Sequence, residues 1–62
     1  MNKYFLLYYI VDKENDTQTF QSKILEIGYK LNSSNIRRLE IKLKSILNVK
    51  KVVIVNYKLL SE

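Results

Sequence analysis

The chain has 62 residues and a formal net charge of +5 at pH 7, and it contains neither cysteine nor histidine. A domain of this size buries only about 60% of the surface that its unfolded chain exposes, so it usually needs disulfides, metals or oligomerisation for stability. The composition excludes a disulfide framework and the two commonest zinc ligands. We therefore expect one domain, residues 1–62, that is stabilised by assembly with other chains.

The positive charge is concentrated in the second half of the chain. Up to residue 36, four lysines balance four acidic residues, whereas from residue 37 onward seven basic residues face only Glu40 and Glu62. A one-sided charge of this kind attracts an acidic partner. No stretch approaches the roughly 20 apolar residues that a membrane-spanning helix needs, and the lack of cysteine is typical of a reducing compartment. We expect a cytoplasmic protein with an anionic partner and no membrane.

The first predicted element is a β-strand from Tyr4 to Val11, which is apolar throughout and rich in aromatic and β-branched residues. A strand with one wet face alternates apolar and polar side chains, but both faces of this strand are apolar. We therefore expect it to be the central strand of a sheet, with both faces buried.

A polar loop then leads to a second strand, from about residue 19 to residue 30. The apolar residues of this strand change parity between Ile24 and Leu25, which predicts a β-bulge at that point. Polar side chains along the strand favour a position at the edge of the sheet.

The third predicted element is a three-turn helix that begins with a cap at Ser33 or Ser34. Apolar residues recur there at three- and four-residue spacing, as on one stripe of a helix. They are Ile36, Leu39, Leu43, Ile46 and Leu47. Asn48 is the predicted left-handed C-cap, and Glu40 is placed to pair with Lys44 one turn later.

The last predicted strand runs from about Val52 to Leu60, with Val52 and Ile54 on one face and residues 53, 55, 57 and 59 on the other. A hairpin makes the first two strands antiparallel, and the helix returns the chain. The third strand is then antiparallel to the first when the spatial order is 2-1-3. The predicted fold class is α+β: a ββαβ chain with a three-stranded antiparallel sheet and one helix on one face.

The single helix leaves the other face of the predicted sheet without cover. An apolar patch of that extent usually marks an interface. We therefore predict a homo-oligomer that assembles through the sheet, with a face-to-face dimer as first choice and a sheet continued edge to edge through the third strand as second. The predicted interface residues are Tyr4, Leu6, Tyr8, Ile10, Val52 and Ile54.

Six basic residues form the predicted surface for an anionic partner, which is a nucleotide, a nucleic acid or an acidic protein. They are Arg37, Arg38, Lys42, Lys44, Lys50 and Lys51. The alternative interpretation is the solvated side of an ordinary helix. Tyrosines on an open sheet face would be able to stack on bases. The candidates are Tyr4, Tyr8, Tyr9, Tyr29 and Tyr57. The signatures of RNA-binding sheet domains and of helix-turn-helix domains are absent.

Asp12, Glu14 and Asp16 alternate in the first loop, where carboxylates are able to gather around a divalent cation. A metal-dependent DNA nickase would have to use these three residues. The calcium-loop pattern, with its glycine and distal glutamate, is absent, and we favour a solvated turn. No serine has a plausible adjacent base, and no Gly-rich phosphate loop is present. We predict no enzyme activity, no metal and no cofactor.

Several segments together resemble a known class of proteins. They are the strand Lys-Tyr-Phe-Leu-Leu-Tyr-Tyr, the segment Glu-Ile-Gly-Tyr-Lys-Leu at residues 26–31, the Asn-Ser-rich helix cap, and the closing Lys-Val-Val-Ile-Val-Asn-Tyr. The chain is similar to the small orphan accessory proteins of phages and prophages of low-G+C Gram-positive bacteria.

This resemblance implies a viral protein that acts in a bacterial host by stoichiometric binding and interferes with a host process. The first expectation is an antagonist of anti-phage defence, such as an anti-CRISPR protein or a protein that sequesters a nucleotide immune signal. Two alternatives remain open. One is a nucleic-acid-binding accessory protein that uses the basic helix face, and the other is the metal-dependent nickase.

Overall fold

The computed structural model describes all 62 residues, in the order β1 (Asn2–Val11), β2 (Gln18–Ile27), α1 (Ile36–Leu47) and β3 (Lys51–Ser61). The strands form one sheet in the order β2-β1-β3, and both neighbouring pairs are antiparallel. The predicted α+β class, the ββαβ order and the central position of β1 are confirmed. With 12 residues, α1 is too short to cross a membrane.

The core lies between α1 and one face of the sheet. Its eight buried side chains are Tyr4, Leu6, Tyr8, Ile27, Leu31, Leu39, Leu43 and Val52. Ile10 and Ile54 are partly buried and pack against them. All six residues predicted as the oligomer interface therefore lie on the face covered by the helix, and that prediction is wrong. Because both faces of β1 are apolar, its alternation does not indicate which face the helix covers.

A bulge in β3 changes which side chains face the core. Leu7 pairs with Asn56 but Tyr8 pairs with Ile54, which leaves Val55 as an extra residue on β3. An extra residue reverses the alternation of the strand beyond it. The side chains that β3 places on the core face are Val52, Ile54, Tyr57 and Leu59. The alternation predicted for an unbroken strand places the first two and the last two on opposite faces, and the bulge is the reason for the difference.

β2 pairs with β1 without a register shift along its whole length. The bulge predicted between Ile24 and Leu25 is therefore wrong, and the strand carries apolar side chains on both faces. Leu25 packs against the core, whereas Ile24 points to solvent and is 57% exposed. The position of β2 at an edge of the sheet is confirmed, and the strand ends at Ile27.

α1 is preceded by a network of asparagine side chains. The Oδ1 atom of Asn32 accepts hydrogen bonds from the N–H groups of Ser34 (2.8 Å) and Asn35 (3.1 Å). The Oδ1 atom of Asn35 accepts one from the N–H of Asn32 (2.8 Å). Asn35 is the N-cap residue, so the predicted serine cap is wrong. Asn48 is left-handed, with φ 54°, and donates its N–H to the carbonyl of Lys44, which confirms the predicted C-cap.

The helix leans toward β3. Among the strands, only β3 has Cα atoms within 8 Å of those of α1. Leu39 and Leu43 are buried and Ile36 and Leu47 pack against the core, as the apolar stripe predicts. Ile46 lies on the side of the helix away from β3 and is 64% exposed, so its place in the predicted stripe is wrong.

An exposed ion pair joins Lys30, after β2, to Glu62, after β3. The hydrogen bond from Lys30, with its positive charge, lowers the pKa of Glu62, and the same contact raises the pKa of Lys30. Because the pKa of Glu62 is lower in the folded state, the ion pair stabilises the fold at pH values above the ordinary glutamate pKa. This contribution is lost as the pH falls through the folded-state pKa. The raised pKa of Lys30 has the opposite pH dependence. Its contribution to stability is present below the ordinary lysine pKa and is lost as the pH rises through the raised folded-state pKa.

We therefore expect the Glu62 carboxyl to titrate below the ordinary glutamate range, and the pKa to return to that range in the variant Lys30→Gln. Because both side chains are exposed, the effect on stability is small. A carboxyl ¹³C NMR titration of wild type and variant measures the shift. An identical Glu62 pKa in the two proteins would contradict the ion pair.

Candidate anion-binding groove

A groove with a volume of about 170 Å³ runs between α1 and the start of β3. We call it the α1–β3 groove. Its basic residues are Arg37, Lys44, Lys50 and Lys51. The other residues that line it are Glu40, Ile41, Val52 and Val53. Basic side chains therefore surround a partly apolar surface.

Local structure explains why these basic residues meet. Arg37 and Lys44 are seven residues apart, which is about two turns of helix, so they lie on the same side of α1. Lys50 and Lys51 occupy the short connection from α1 to β3 and the first position of that strand. The N–H of Lys50 donates to the carbonyl of Val11 (2.9 Å), which fixes the connection against the end of β1.

Glu40 has a structural role within the groove. Its Oε2 atom accepts a hydrogen bond from the N–H of Ile54 (2.8 Å), and the predicted pair with Lys44 does not form. This contact ties α1 to the free edge of β3 and occupies an amide that an added strand would need. It therefore argues against the second predicted mode of assembly, a sheet continued through β3.

Three of the four basic residues have no acidic partner. Lys50 pairs with the Oδ1 atom of Asp16 (2.7 Å) in the β1–β2 loop. Arg37, Lys44 and Lys51 form no ion pair and are exposed. An anion that binds an unpaired cation gains more binding free energy than one that must first displace a carboxylate from the cation. These three residues therefore form the accessible positive charge of the groove.

Two of the six predicted binding residues lie elsewhere. The guanidinium of Arg38 lies over the ring of Tyr29, 5.2 Å from its centroid, in a cation–π contact. Lys42 is exposed and does not line the groove. The predicted basic surface is thus divided between two sides of α1, and four of its residues come together.

The tyrosines do not form a stacking platform beside the basic residues. Tyr4 and Tyr8 are buried in the core, and the ring of Tyr57 packs edge-on against that of Tyr4, with centroids 6.0 Å apart. Tyr29 lies beneath the guanidinium of Arg38. Only Tyr9 stands on the sheet face opposite the helix, and none of the five lines the groove.

The acidic residues of the first loop are held by the loop itself. The Oδ1 atom of Asp12 accepts a hydrogen bond from the N–H of Glu14 (2.7 Å). Asp16 has a left-handed backbone, with φ 54°, and pairs with Lys50. No group of three or more side chains is arranged to hold a metal ion. These contacts are those of a structured turn.

No protein-family model, curated protein or solved structure matches this chain. The function is therefore inferred from the residues of the groove and of the sheet.

Proposed function

We propose that this chain is a non-catalytic binding protein that holds an acidic segment of another protein in the α1–β3 groove. The observation that carries the proposal is the set of unpaired cations, Arg37, Lys44 and Lys51, around a partly apolar groove. Carboxylates of the partner would meet these cations, and charge-assisted hydrogen bonds of this kind are roughly twice as strong as neutral ones. The exposed side chain of Ile41 would meet an apolar residue between the carboxylates.

The shape and composition of the groove favour a peptide over a nucleotide or a nucleic acid. Its volume of about 170 Å³ is below the roughly 300 Å³ at which pockets begin to enclose a small-molecule ligand. No aromatic ring lies beside the cations to stack on a base.

The resemblance to phage accessory proteins supports a partner in a bacterial host. We propose that occupation of this partner interferes with a host process, and anti-phage defence is the first candidate. Such an antagonist needs no reaction, because each copy of the protein blocks one copy of its target.

The test is a charge reversal in the groove with a matched reversal outside it. The variant Arg37→Glu with Lys44→Glu changes the groove, and Arg38→Glu with Lys42→Glu changes the other side of the same helix. Each double change takes the net charge from +5 to +1, because each reversal subtracts two charges. Binding is measured by fluorescence anisotropy of a labelled peptide in which glutamate and leucine alternate.

We expect the groove variant to bind this peptide at least about tenfold more weakly, because loss of one charged hydrogen bond alone costs about 1.5 to 3 kcal/mol. The variant outside the groove should change the affinity less than about threefold, as expected for exposed charges away from the contact. Equal weakening by both variants would mean that only net charge matters. The nucleic-acid-binding alternative would be favoured if a labelled DNA duplex bound more tightly than the peptide and its affinity fell linearly with salt concentration on logarithmic axes.

A further inference from the structure

The face of the sheet that points away from α1, which we call the open face, is apolar along its centre. Its apolar residues include Phe5, Leu7, Tyr9, Phe20, Ile24 and Val53. Phe20 is 59% exposed and Ile24 is 57% exposed. The rings of Tyr9 and Phe20 pack together across the two strands, with centroids 5.6 Å apart. No segment of the chain covers this surface.

We infer that the open face packs against the open face of a second copy of the chain, to form a twofold-symmetric sandwich of two sheets. This inference does not depend on the proposed function, since it rests on the apolar side chains of β1 and β2, none of which lines the α1–β3 groove. Only Val53 and Lys51, on the outer strand β3, belong to both surfaces. The two copies would meet face to face, as predicted, but through the open-face residues in place of those that the helix covers.

The size of the open face fits a small dimer. Ten-residue strands at about 3.3 Å per residue, spaced by about 4.8 Å, give a face of roughly 33 by 14 Å. Its projected area is about 450 Å², and protruding side chains raise the accessible area toward the roughly 600 to 800 Å² per partner of small stable interfaces. Exposed apolar patches of several hundred Å² often mark interaction sites.

The open face is also complementary to itself. Leu7 lies at the middle of β1 between Ser22 and Asn56, which provide a polar row across the sheet. Bulky side chains flank this row on both sides, with Phe5 and Ile24 in one row and Tyr9 and Phe20 in the other. A twofold axis along the Leu7 row places the row of Phe5 and Ile24 in one copy over the row of Tyr9 and Phe20 in the other copy. An interface of this kind uses the same patch on both copies.

The charges on this face lie at its margins. Lys3 and Glu26 are direct cross-strand partners at one end, and Lys51 stands at the other end opposite Val11. Lys58 stands opposite Phe5 on the outer strand β3, where a lysine covers apolar surface with its stem and keeps its ammonium group in water. The centre of the sandwich therefore contains no charge.

The experiment compares two double variants by sedimentation equilibrium. The variant Phe20→Lys with Ile24→Lys changes the open face, and Ile41→Lys with Ile46→Lys changes the helix. The helix residues are 63% and 64% exposed, so all four positions are similarly exposed in the single chain. Each variant also gains two positive charges. Only the open-face variant places these charges inside the proposed interface.

We expect the wild type and the helix variant to sediment at twice the chain mass of 7.4 kDa. The open-face variant should dissociate at least about 100-fold more readily, because unpaired charges enter an apolar interface. The inference is overturned if the wild type sediments as a single chain, or if the two variants dissociate equally. A wild-type monomer that binds labelled oligothymidine and loses this binding in the open-face variant would assign the face to single-stranded nucleic acid instead.

If the open-face variant does not fold, the dependence of the wild-type Tm on protein concentration tests whether the chain is a dimer. The Tm of a dimer that unfolds to separate chains rises with protein concentration, whereas that of a monomer does not. We expect the wild-type Tm to rise between two concentrations about a hundredfold apart, and the helix variant to behave in the same way. A wild-type Tm that does not depend on concentration would overturn the inference.

Discussion

Replacement of Leu6 by alanine is expected to lower the free energy of unfolding by about 2 to 5 kcal/mol. Leu6 is fully buried in the middle of β1, in the same cluster as Leu39 and Leu43 of α1. Alanine would leave a cavity at the point where the central strand meets the helix. A chain of 62 residues has only about 3 to 5 kcal/mol from its core, so this loss approaches the total stability.

Equilibrium urea unfolding at a fixed protein concentration measures the loss. The matched control is Ile46→Ala, which removes the same class of side chain from a position that is 64% exposed on the same domain. We expect the control to change the stability by less than about 0.5 kcal/mol, as at other exposed sites. A cost at Leu6 no larger than the cost at Ile46 would mean that Leu6 is not at the centre of the core.

The second large effect is expected from Tyr4→Phe, at about 1 to 3 kcal/mol. The hydroxyl oxygen of Tyr4 accepts a hydrogen bond from the N–H of Leu31 (2.9 Å), and both residues are buried. Phenylalanine keeps the ring but leaves this N–H without a partner, and an unsatisfied buried amide carries its full desolvation cost. The contact therefore holds the segment before α1 against the central strand.

Tyr8→Phe provides the matched control, because Tyr8 is as buried as Tyr4. Its hydroxyl donates to the Oε1 atom of Gln21 (3.0 Å), a residue that is exposed. Water replaces this partner when the hydroxyl is removed, so we expect a cost of about 0.5 to 1 kcal/mol. Urea unfolding gives both energies, and amide hydrogen exchange reports on Leu31 directly. Equal costs, with no faster exchange at Leu31, would contradict the proposed role of Tyr4.

The strand order was predictable from the sequence because connectivity leaves few choices. The apolar run of β1 indicates a central strand, and a hairpin followed by a helical return then fixes its neighbours. The face that the helix covers was not predictable, since Leu6 and Leu7 are equally apolar and only packing distinguishes them. A change of parity was also an ambiguous signal. In β2 it reflects Ile24 on the open face and Leu25 in the core, whereas β3, whose alternation indicates an unbroken strand, has a bulge at Val55.

The groove was predictable only in part. The seven-residue spacing of Arg37 and Lys44 places them together on any helix. Which side of α1 leans toward β3, and therefore whether Arg37 or Arg38 reaches the groove, is a property of tertiary packing. The hydrogen bond from the N–H of Ile54 to Glu40 was not predictable from the neighbouring sequence either, because only the return of the chain after α1 brings the two residues together.

The two proposals together describe a protein with two binding surfaces that adjoin along β3. A dimer through the open face leaves the helix side of each α1–β3 groove exposed, with Arg37 and Lys44 on the outer sides of the sandwich, and Val53 lies where the two surfaces meet. Two grooves on one particle bind a partner with two acidic segments more tightly than either groove alone, provided that the spacing allows both to engage.

The most direct test of the proposed function is a map of the peptide-binding surface by ¹⁵N–¹H NMR. The labelled protein is titrated with the peptide of alternating glutamate and leucine, and the shift of each backbone amide is followed. We predict that the largest shifts occur at the groove, at Arg37, Lys44, Lys51 and Val52. Shifts concentrated at Phe5, Tyr9 and Phe20, or spread evenly over the basic residues, would contradict a binding site between α1 and β3.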